Sequence, residues 1–259
     1  MSRMRRGWLA VALVAMLVVG GVQSAAAGPA DPASAAGEFD DEALAELLLE
    51  EEDEAEEAVS ISDPLIHFNR AMFVFNDRLY FWVLKPLASG YRVVVPEPAR
   101  TCVKNFFHNL GAPVRIVNSL LQGKPRLAEA ALGHFIVNTT IGIGGLGDPA
   151  GEYPHLNPGD EDLGQTLGVY GMGNGIYLVW PLFGPSTLRD TLGMVGDHFL
   201  DPMTYTLTVA ESAGATGARV VNDTSFRIGE YEALKAAALE PYVAFRDGYL
   251  QYRRKKVSE

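Results

Sequence analysis

Residues 141 to 148, IGIGGLGD, contain the glycine pattern GxGGxG, which in some proteins cradles the phosphates of a dinucleotide. That chemistry requires a strand before the glycines and a helix after them. Here a helix-like segment precedes the glycines, and a run rich in Pro, Asp and Gly follows them. We therefore interpret this segment as a glycine-rich helix end and not as a nucleotide site.

A second glycine cluster lies in residues 167 to 189, LGVYGMGNGIYLVWPLFGPSTLR. Three interpretations compete for it: a phosphate-binding loop, a β-hairpin of a soluble core, and a movable apolar flap that contacts lipid. The first is poor because no Lys followed by Ser or Thr comes after the glycines. Asn174-Gly175 between apolar flanks favours a hairpin, with Leu167 and Val169 before the turn and residues 176–180 after it.

This predicted hairpin, near 167–180, is weak by itself. Gly171 and Gly173 loosen its first strand, and an isolated two-stranded hairpin is marginal in water. We therefore expect the element to be mobile or to be held by apolar contacts. The apolar run 176–183 is too short to cross a bilayer, so entry into one leaflet, the lining of a cavity and burial in a core all remain open.

Motifs for hydrolytic chemistry are absent from the sequence. It contains neither HExxH, the commonest zinc-hydrolase helix, nor GxSxG, the nucleophile elbow of α/β hydrolases. Of five scattered histidines, His108 and His134 sit in apolar helical segments, where a structural histidine is the expected state. The adjacent acids 160–162 lack the alternating spacing of a calcium loop and indicate a solvated turn or a helix start. We therefore predict no catalytic residues, no metal site and no cofactor.

The segments around these candidates are mainly helical. In residues 64–84 the apolar side chains recur at alternating steps of three and four, and further apolar residues widen the stripe around most of the helix. Such a helix is either buried or in contact with lipid. Asp63-Pro64 suits its start, and Pro86 is expected to end it.

Pro near the start and Gly near the end then mark three short helices, which close at Gly111, at Gly123 and near residue 141. Residues 142–165 are predicted as a loop, and residues 185–212 and 223–256 as helices. The predicted fold is mainly α, built from short helices with at most one small β-hairpin and no separable second domain.

The first 60 residues have a different composition. Residues 1–27 show the layout of a secretory signal peptide, with three arginines, a short apolar run and a small-residue cleavage site at Ala25–Ala27. Residues 28–60 hold thirteen acidic and no basic residues, which predicts a disordered arm. That arm is either a solvated spacer or a segment that docks on a basic partner. The remaining domain is 61–259.

The folded part is close to neutral although the whole chain has a formal charge of −11. Without the leader and the arm, 18 basic and 19 acidic residues remain, so no large basic field exists and nucleic-acid binding is not expected. The cations of 253–256 lie at the end of the last helix. They either complement its dipole or meet anionic headgroups or an acidic partner.

Four segments together resemble the MlaA (VacJ) family over about residues 62–252. They are DPLIHFNRAMFVFN, NLGAPVRIVNSLLQGKP, FIVNTTIGIGGLGD and GQTLGVYGMGNGIYLVWPLFGPSTLRD. The resemblance implies a Gram-negative outer-membrane component whose short helices form a ring in the inner leaflet of that membrane, on its periplasmic face. It implies phospholipid transport without catalysis.

In this family, phospholipids that have wrongly reached the outer leaflet pass through a central amphipathic channel. They are handed to a soluble periplasmic carrier, MlaC, which maintains lipid asymmetry, and in some members a trimeric porin holds the ring. The FNR motif and the glycine-rich segment carry over to this chain. The residues that the resemblance implies for the channel and its gate are Phe68, Asn69, Arg70, Gly168, Gly171, Gly173 and Gly175. Pro181, Gly184, Pro185, Arg189 and Asp190 complete the second motif.

Two features depart from the family pattern. Many members are lipoproteins, but Cys102 is the only cysteine and lies far from the leader, so no lipobox cysteine is recognised. The acidic arm has no counterpart that we can assign. Two other functions remain as alternatives: a periplasmic hydrolase of lipid or envelope material, and a porin-binding scaffold without a conduit.

Overall fold

A computed structural model describes residues 63–259 of the chain. The predicted signal peptide and acidic arm lie outside these residues. The helices are α1 (Ile66–Leu79), α2 (Lys85–Val94), α3 (Glu97–Leu110), α4 (Ala112–Leu121), α5 (Pro125–Thr140), α6 (Leu163–Val169), α7 (Leu188–His198), α8 (Met203–Thr206), α9 (Val209–Phe226), α10 (Glu230–Ala237) and α11 (Pro241–Ser258). The strands are β1 (Tyr177–Trp180) and β2 (Gly184–Thr187), and short 3-10 turns span Pro149–Glu152 and Pro154–Leu156. The prediction of a mainly helical fold with one small antiparallel sheet is confirmed.

Proline and glycine punctuate the helices α3, α4 and α5 as predicted. Each has proline within or directly before its first turn, where a missing backbone N–H costs nothing. Gly111 caps α3, and Gly123 follows α4 in a left-handed conformation, with φ of 70°. These local signals were therefore sufficient to place the three helices.

The prediction that Pro86 ends the first helix is wrong. A π-helical segment, Tyr80–Leu84, joins α1 to α2, and the helix runs on to Val94. The N–H of Lys85 bonds to the carbonyl of Tyr80, five residues back. A wider π-type turn shifts the hydrogen-bond register, so a proline lacking N–H is accommodated at the start of α2.

The predicted position of the hairpin is also wrong. Leu167 and Val169 belong to α6, because the carboxylate of Asp162 caps that helix by accepting a hydrogen bond from the N–H of Gln165 at 2.8 Å. Strand β1 pairs with β2 in an antiparallel register that sets Tyr177 opposite Thr187. The turn therefore falls at 181–183 and not at Asn174-Gly175, which lies in the loop before β1.

The helices are arranged in a closed circuit. Contacts run from α1 to β1, from β2 to α11, and then through α6, α4, α5, α3, α9 and α2. The helix α2 continues through the π-helical segment into α1, so the path returns to its start. We call this closed circuit of helices and strands the ring; the family resemblance also implied a ring of helices.

Only a small apolar core is present in the described residues. It lies where α1, β1 and α11 meet and consists of Tyr177, Val179, Tyr242 and Leu250, with partly buried side chains of α1 around it. Across residues 63–259, 18 buried residues are polar or charged and 11 are hydrophobic, whereas 35 large hydrophobic residues are exposed. The usual distribution of polar and apolar residues is therefore largely reversed.

Candidate functional site

Asn69 of the FNR motif fastens α1 to the free edge of strand β1. Its side chain is fully buried; the amide nitrogen donates to the carbonyl of Tyr177 at 3.0 Å, and the amide oxygen accepts from the N–H of Val179 at 2.9 Å. The same nitrogen donates to Asp63 at 2.8 Å. Asn69 therefore satisfies backbone groups that β2 cannot reach, because β2 pairs with the other edge.

Asn76 repeats this contact two helical turns later. It donates to the carbonyl of Trp180 and accepts from the N–H of Leu182, both at 2.8 Å. Leu182 has a φ of 72°, a conformation that a residue with a side chain rarely adopts. The two asparagines, which we call the amide clamp, hold β1 and its turn against α1.

Asp63 does not cap α1 as predicted. No side chain caps this helix, and the Asp63 carboxylate instead accepts hydrogen bonds from Asn69 and from the hydroxyl of Tyr242 on α11. Burial raises the pKa of Tyr242, and the hydrogen bond to Asp63 raises it further. The first described residue therefore links α1 to the last helix.

Phe68 and Arg70, the other two residues of the FNR motif, have surroundings different from those of Asn69. Phe68 is 43% exposed. Arg70 makes a two-pronged contact with Glu240, at 2.8 and 3.3 Å, and its guanidinium lies 5.0 Å from the centre of the Tyr242 ring. Phe68 contributes to the apolar exterior, Asn69 to the interior, and Arg70 to the junction with α11.

The four predicted glycines fall in two environments. A Cβ at Gly168, within α6, would lie 2.7 Å from a methyl carbon of Val257, so this glycine permits close packing against α11. Gly171 and Gly173 lie in the loop before β1, and nothing stands within 4 Å of a Cβ at either position. Gly171 and Gly175 have φ of 89° and 67°. The gating role of these glycines stays a prediction.

A cavity of about 870 Å³ lies beside the hairpin and α7. One part of its lining is apolar and includes Phe183, Val195 and Phe199, while another part is charged and includes Asp190 and Arg253. None of the seven residues assigned from the FNR motif and the glycine segment is among its lining residues. The cavity offers an amphipathic environment in which acyl chains and polar groups could both be accommodated.

An ion-pair cluster around Arg253 forms one charged part of this lining. Arg253 of α11 donates to both oxygens of Asp162, at 2.6 and 2.9 Å, and to Asp190 at 2.8 Å. Arg189 donates to the same oxygen of Asp190 at 3.0 Å, and the Tyr249 hydroxyl donates to its other oxygen at 2.8 Å. These five residues, which we call the charged cluster, join α11 to α6 and α7.

Ionisation of the charged cluster is set by its mutual contacts. Burial opposes the charged form of Asp190, but the hydrogen bond and the charge of Arg253 lower its pKa. Burial likewise opposes the charge of Arg253, but Asp162 and Asp190 raise its pKa. Nearby Asp197 shows the opposite result, because burial raises its pKa more than the N–H of Leu163 lowers it.

Two smaller cavities are linked to the large one by a chain of shared lining residues. Arg219 lines both the large cavity and one of about 170 Å³ between α3, α4 and α9. The small cavity shares Lys104, His108 and Asp160 with a third cavity of about 670 Å³. The small cavity therefore borders each of the other two through shared lining residues.

Sequence reasoning recognised only part of this site. Arg253 was interpreted as a partner of the helix dipole or as a contact for headgroups or an acidic partner, but the residue is only 7% exposed. The sequence signal that could have revealed this burial was the spacing of residues along α11, because Tyr242, Leu250 and Arg253 share one buried face of that helix. The adjacent acids 160–162 were expected to be a solvated turn or a helix start; Asp162 does start α6, but Glu161 is buried beside Lys124 at 3.2 Å.

The described residues offer no alternative centre for metal chemistry. Within 63–259, no group of three or more His, Cys, Asp and Glu side chains could hold a metal ion. His134 is buried and contacts the Leu156 carbonyl and Asn138, as expected of a structural histidine. In the same range, no helix combines the length and apolar character needed to cross a membrane.

Comparison with known proteins gives consistent matches over this domain. The family model described as "MlaA lipoprotein" matches residues 61–256. The "Intermembrane phospholipid transport system lipoprotein MlaA" of Escherichia coli K12 is 37% identical over 193 residues, which are 73% of this chain and 76% of that protein. The protein of the same description from Haemophilus influenzae is 32% identical, over 76% of this chain and 80% of its own length.

A solved structure shows a similar fold. It comes from work described as "Structural basis for maintenance of bacterial outer membrane lipid asymmetry", and its chain is 36% identical in sequence. It superimposes with a TM-score of 0.69 and covers 76% of this chain and 100% of its own. Sequence and fold therefore agree over the whole described domain.

Proposed function

Because the chain belongs to the MlaA lipoprotein family, we propose that it transports phospholipids between membranes and thereby maintains the lipid asymmetry of the outer membrane. Its cargo is a phospholipid, and the proposed reaction is transfer without the breaking of a bond. No further cofactor takes part in this proposal.

The observation that carries the proposal is the reversed distribution of polar and apolar residues. Exposed apolar side chains such as Trp82, Val93 and Val94 give the ring an exterior suited to acyl chains. The interior instead holds arginines, carboxylates and amides around adjoining cavities. A polar path inside an apolar ring is the arrangement that a lipid headgroup needs to pass through hydrocarbon.

The proposal includes a location and partners. The ring lies in the inner leaflet of the outer membrane, and phospholipids that have reached the outer leaflet enter it from there. It hands them to a soluble MlaC-like carrier on the periplasmic side, and a trimeric porin holds it in place. The apolar exterior supports this location, and a periplasmic recipient is required because a free phospholipid does not cross water unaided.

Lipid extraction from the purified protein tests the central claim. We expect intact phospholipid to co-purify with the protein and to remain intact after incubation. Release of fatty acid or headgroup would favour the hydrolase alternative.

Complementation gives the second test: in a Gram-negative strain lacking its own family member, the chain should restore low outer-leaflet phospholipid and detergent resistance. Recovery of a porin in a pull-down without any lipid defect on deletion would favour the scaffold alternative.

We also propose that the glycine loop before β1 adjusts the opening of the path. Gly171→Arg introduces a bulky cation where nothing lies within 4 Å, so the fold should tolerate it apart from the strain of a positive φ. Outer-leaflet phospholipid and detergent resistance should change more than stability does. Normal values of both in the variant would refute the gate.

A further inference from the structure

The smallest of the three adjoining cavities, about 170 Å³ between α3, α4 and α9, has an excess of positive charge. Four of its lining residues are cations and two are carboxylates. They are Lys104, Arg115, Arg219, Arg227, Asp160 and Asp223. A cavity with this composition attracts an anion.

Arg115 is the buried cation of this cavity. The residue is 8% exposed, and one terminal nitrogen donates to the carbonyl of His108 at 2.7 Å. The Nε has no hydrogen-bond partner, and no carboxylate of residues 63–259 lies within 4.0 Å of the guanidinium. Burial lowers the pKa of Arg115, and Asp160 only partly offsets this. A buried arginine with an unused donor is costly unless an anion occupies the space in front of it.

The remaining charges around the cavity do not neutralise Arg115. Asp223 is 3.8 Å from Arg219 and is therefore already engaged by that cation. Lys104 lies over the ring of Phe226, with its ammonium 5.7 Å from the ring centre, and forms no ion pair in the described residues. Burial and the charge of Arg115 lower the pKa of His108 to about 4, so its imidazole is neutral at pH 7 and adds no positive charge.

The position of the cavity fits a molecule with a polar and an apolar part. Arg219 lines both the small cavity and the 870 Å³ cavity, whose lining includes Phe183, Val195 and Phe199. A ligand with its anionic group beside Arg115 could therefore extend its apolar part toward those side chains. This juxtaposition distinguishes the site from a simple anion pocket.

We propose that Arg115 and the cations around it bind the phosphate of a glycerophospholipid headgroup as the lipid passes through the ring. The proposal rests on the transport function proposed above and names the group that the path recognises. Arg115 supplies guanidinium donors for the phosphate oxygens, and Lys104 and Arg227 supply further positive charge. Asp160 limits the excess charge, so the phosphate is held without being trapped.

Gly111 provides the space that Arg115 occupies. A Cβ at this position would lie 3.2 Å from a terminal nitrogen of Arg115, and the φ of −76° is compatible with alanine. Gly111→Ala therefore crowds the guanidinium and shifts it slightly without removing its charge.

The test uses the purified full chain and short-chain probes. Binding of dihexanoylphosphatidylglycerol, of dihexanoylglycerol, which lacks the phosphate, and of inorganic phosphate is measured by calorimetry. We expect the protein to bind the phosphorylated lipid at least about tenfold more tightly than the diacylglycerol, as a charged hydrogen bond provides. Arg115→Gln should remove this preference, Arg115→Lys should keep part of it, and Arg126→Gln, at an exposed position of α5, should leave it unchanged.

Each of the other possible binding results contradicts a specific part of the proposal. If Arg115→Gln and Gly111→Ala both bind the phosphorylated lipid as tightly as the parent chain, the site is refuted; Gly111→Ala decides the matter if Arg115→Gln fails to fold. If the parent binds both lipids equally, the headgroup site is refuted but transport stands. If it binds neither lipid, the transport function itself fails. If inorganic phosphate binds but is not displaced by the lipid, the cavity binds free phosphate.

Discussion

The amide clamp and the charged cluster both tie distant parts of the ring together, but they use different chemistry. The clamp holds β1 to α1 through neutral side-chain amides that complete the hydrogen bonds of a strand edge. The charged cluster holds α11 to α6 and α7 through arginines and carboxylates. Of the two, only the charged cluster lines the large cavity.

The amide clamp and the charged cluster therefore differ in what their chemistry can do besides stabilising the fold. Neutral amides can hold a strand wherever backbone groups need partners, without attracting ions or responding to pH. Buried charges cost more to maintain, and their presence at a cavity wall indicates a second task beside stability. We therefore expect substitutions in the clamp to affect folding alone, and substitutions in the charged cluster to affect folding and transport together.

The largest effect is expected from Arg253→Met. It leaves Asp162 and Asp190 without the cation that compensates them, so the free energy of unfolding should fall by about 3–5 kcal/mol. Denaturant unfolding in detergent measures this, and outer-leaflet phospholipid measures transport by the folded fraction. Lys255→Met, at an exposed position of the same helix, should change neither. An Arg253 variant as stable as the parent would show that the cluster is not what holds α11.

Asn69→Ala should cost somewhat less. It leaves the carbonyl of Tyr177 and the N–H of Val179 buried without partners, which should lower the free energy of unfolding by about 3 kcal/mol. Asn105→Ala removes a single exposed amide contact with Leu146 and should cost about 0.5 kcal/mol or less. Transport per folded molecule should stay normal for Asn69→Ala, and a transport defect without a stability loss would break the comparison.

The two regions should also differ in their response to acid. The folded pKa of Asp190 lies below its unfolded value of 3.8, so its stabilisation is complete above that value and is lost as pH falls through the folded pKa. Asp197, whose pKa is raised, changes stability in the opposite direction. Unfolding measured from pH 6 to pH 3 should show a smaller acid loss in Asp190→Asn than in the parent, whereas Asn69→Ala should keep the parental slope.

The smallest effect is expected in the loop beside the clamp. Gly171→Ala forces a side chain into a positive φ of 89° and should cost about 1 kcal/mol, although open space surrounds it. Gly173→Ala meets no atom within 4 Å and has no positive φ, so it should be close to neutral. Thermal unfolding of both variants checks this, and equal losses would show that the loop is more tightly held than its open surroundings indicate.

Helix boundaries set by local chemistry could be predicted from the sequence. Proline at the start and glycine at the end marked α3, α4 and α5, because those residues act within one helical turn. Pro86 was wrongly predicted to end the first helix. A π-helical turn accommodates this proline, and amino-acid composition does not indicate such a turn. The hairpin was placed too early because the Asp162 cap that makes 163–169 helical competes with the turn signal of Asn174-Gly175.

The candidate site was harder to predict because its partners are far apart in the chain. Asn69 and the glycine segment were recognised through a family pattern, which gives no information about what each side chain contacts. Arg115 lies in a short apolar helix and looks like an ordinary helical cation until α3 and α9 enclose it. Its unpaired state is a property of the assembled ring and has no counterpart in local spacing.

The closed circuit of helices also has a consequence for the order of folding. The seam between the two ends of the domain is made by Asp63 with Tyr242, residues separated by 179 positions. Contacts of such high sequence separation form slowly, since a long loop must close before they contribute. Because the chain is made from its amino terminus, Asp63, Asp162 and Asp190 are all present before the final helix, which carries one hydrogen-bond partner of each, Tyr242 or Arg253. The circuit of contacts therefore cannot close until α11, the eighteen-residue final helix of the described domain, has been made.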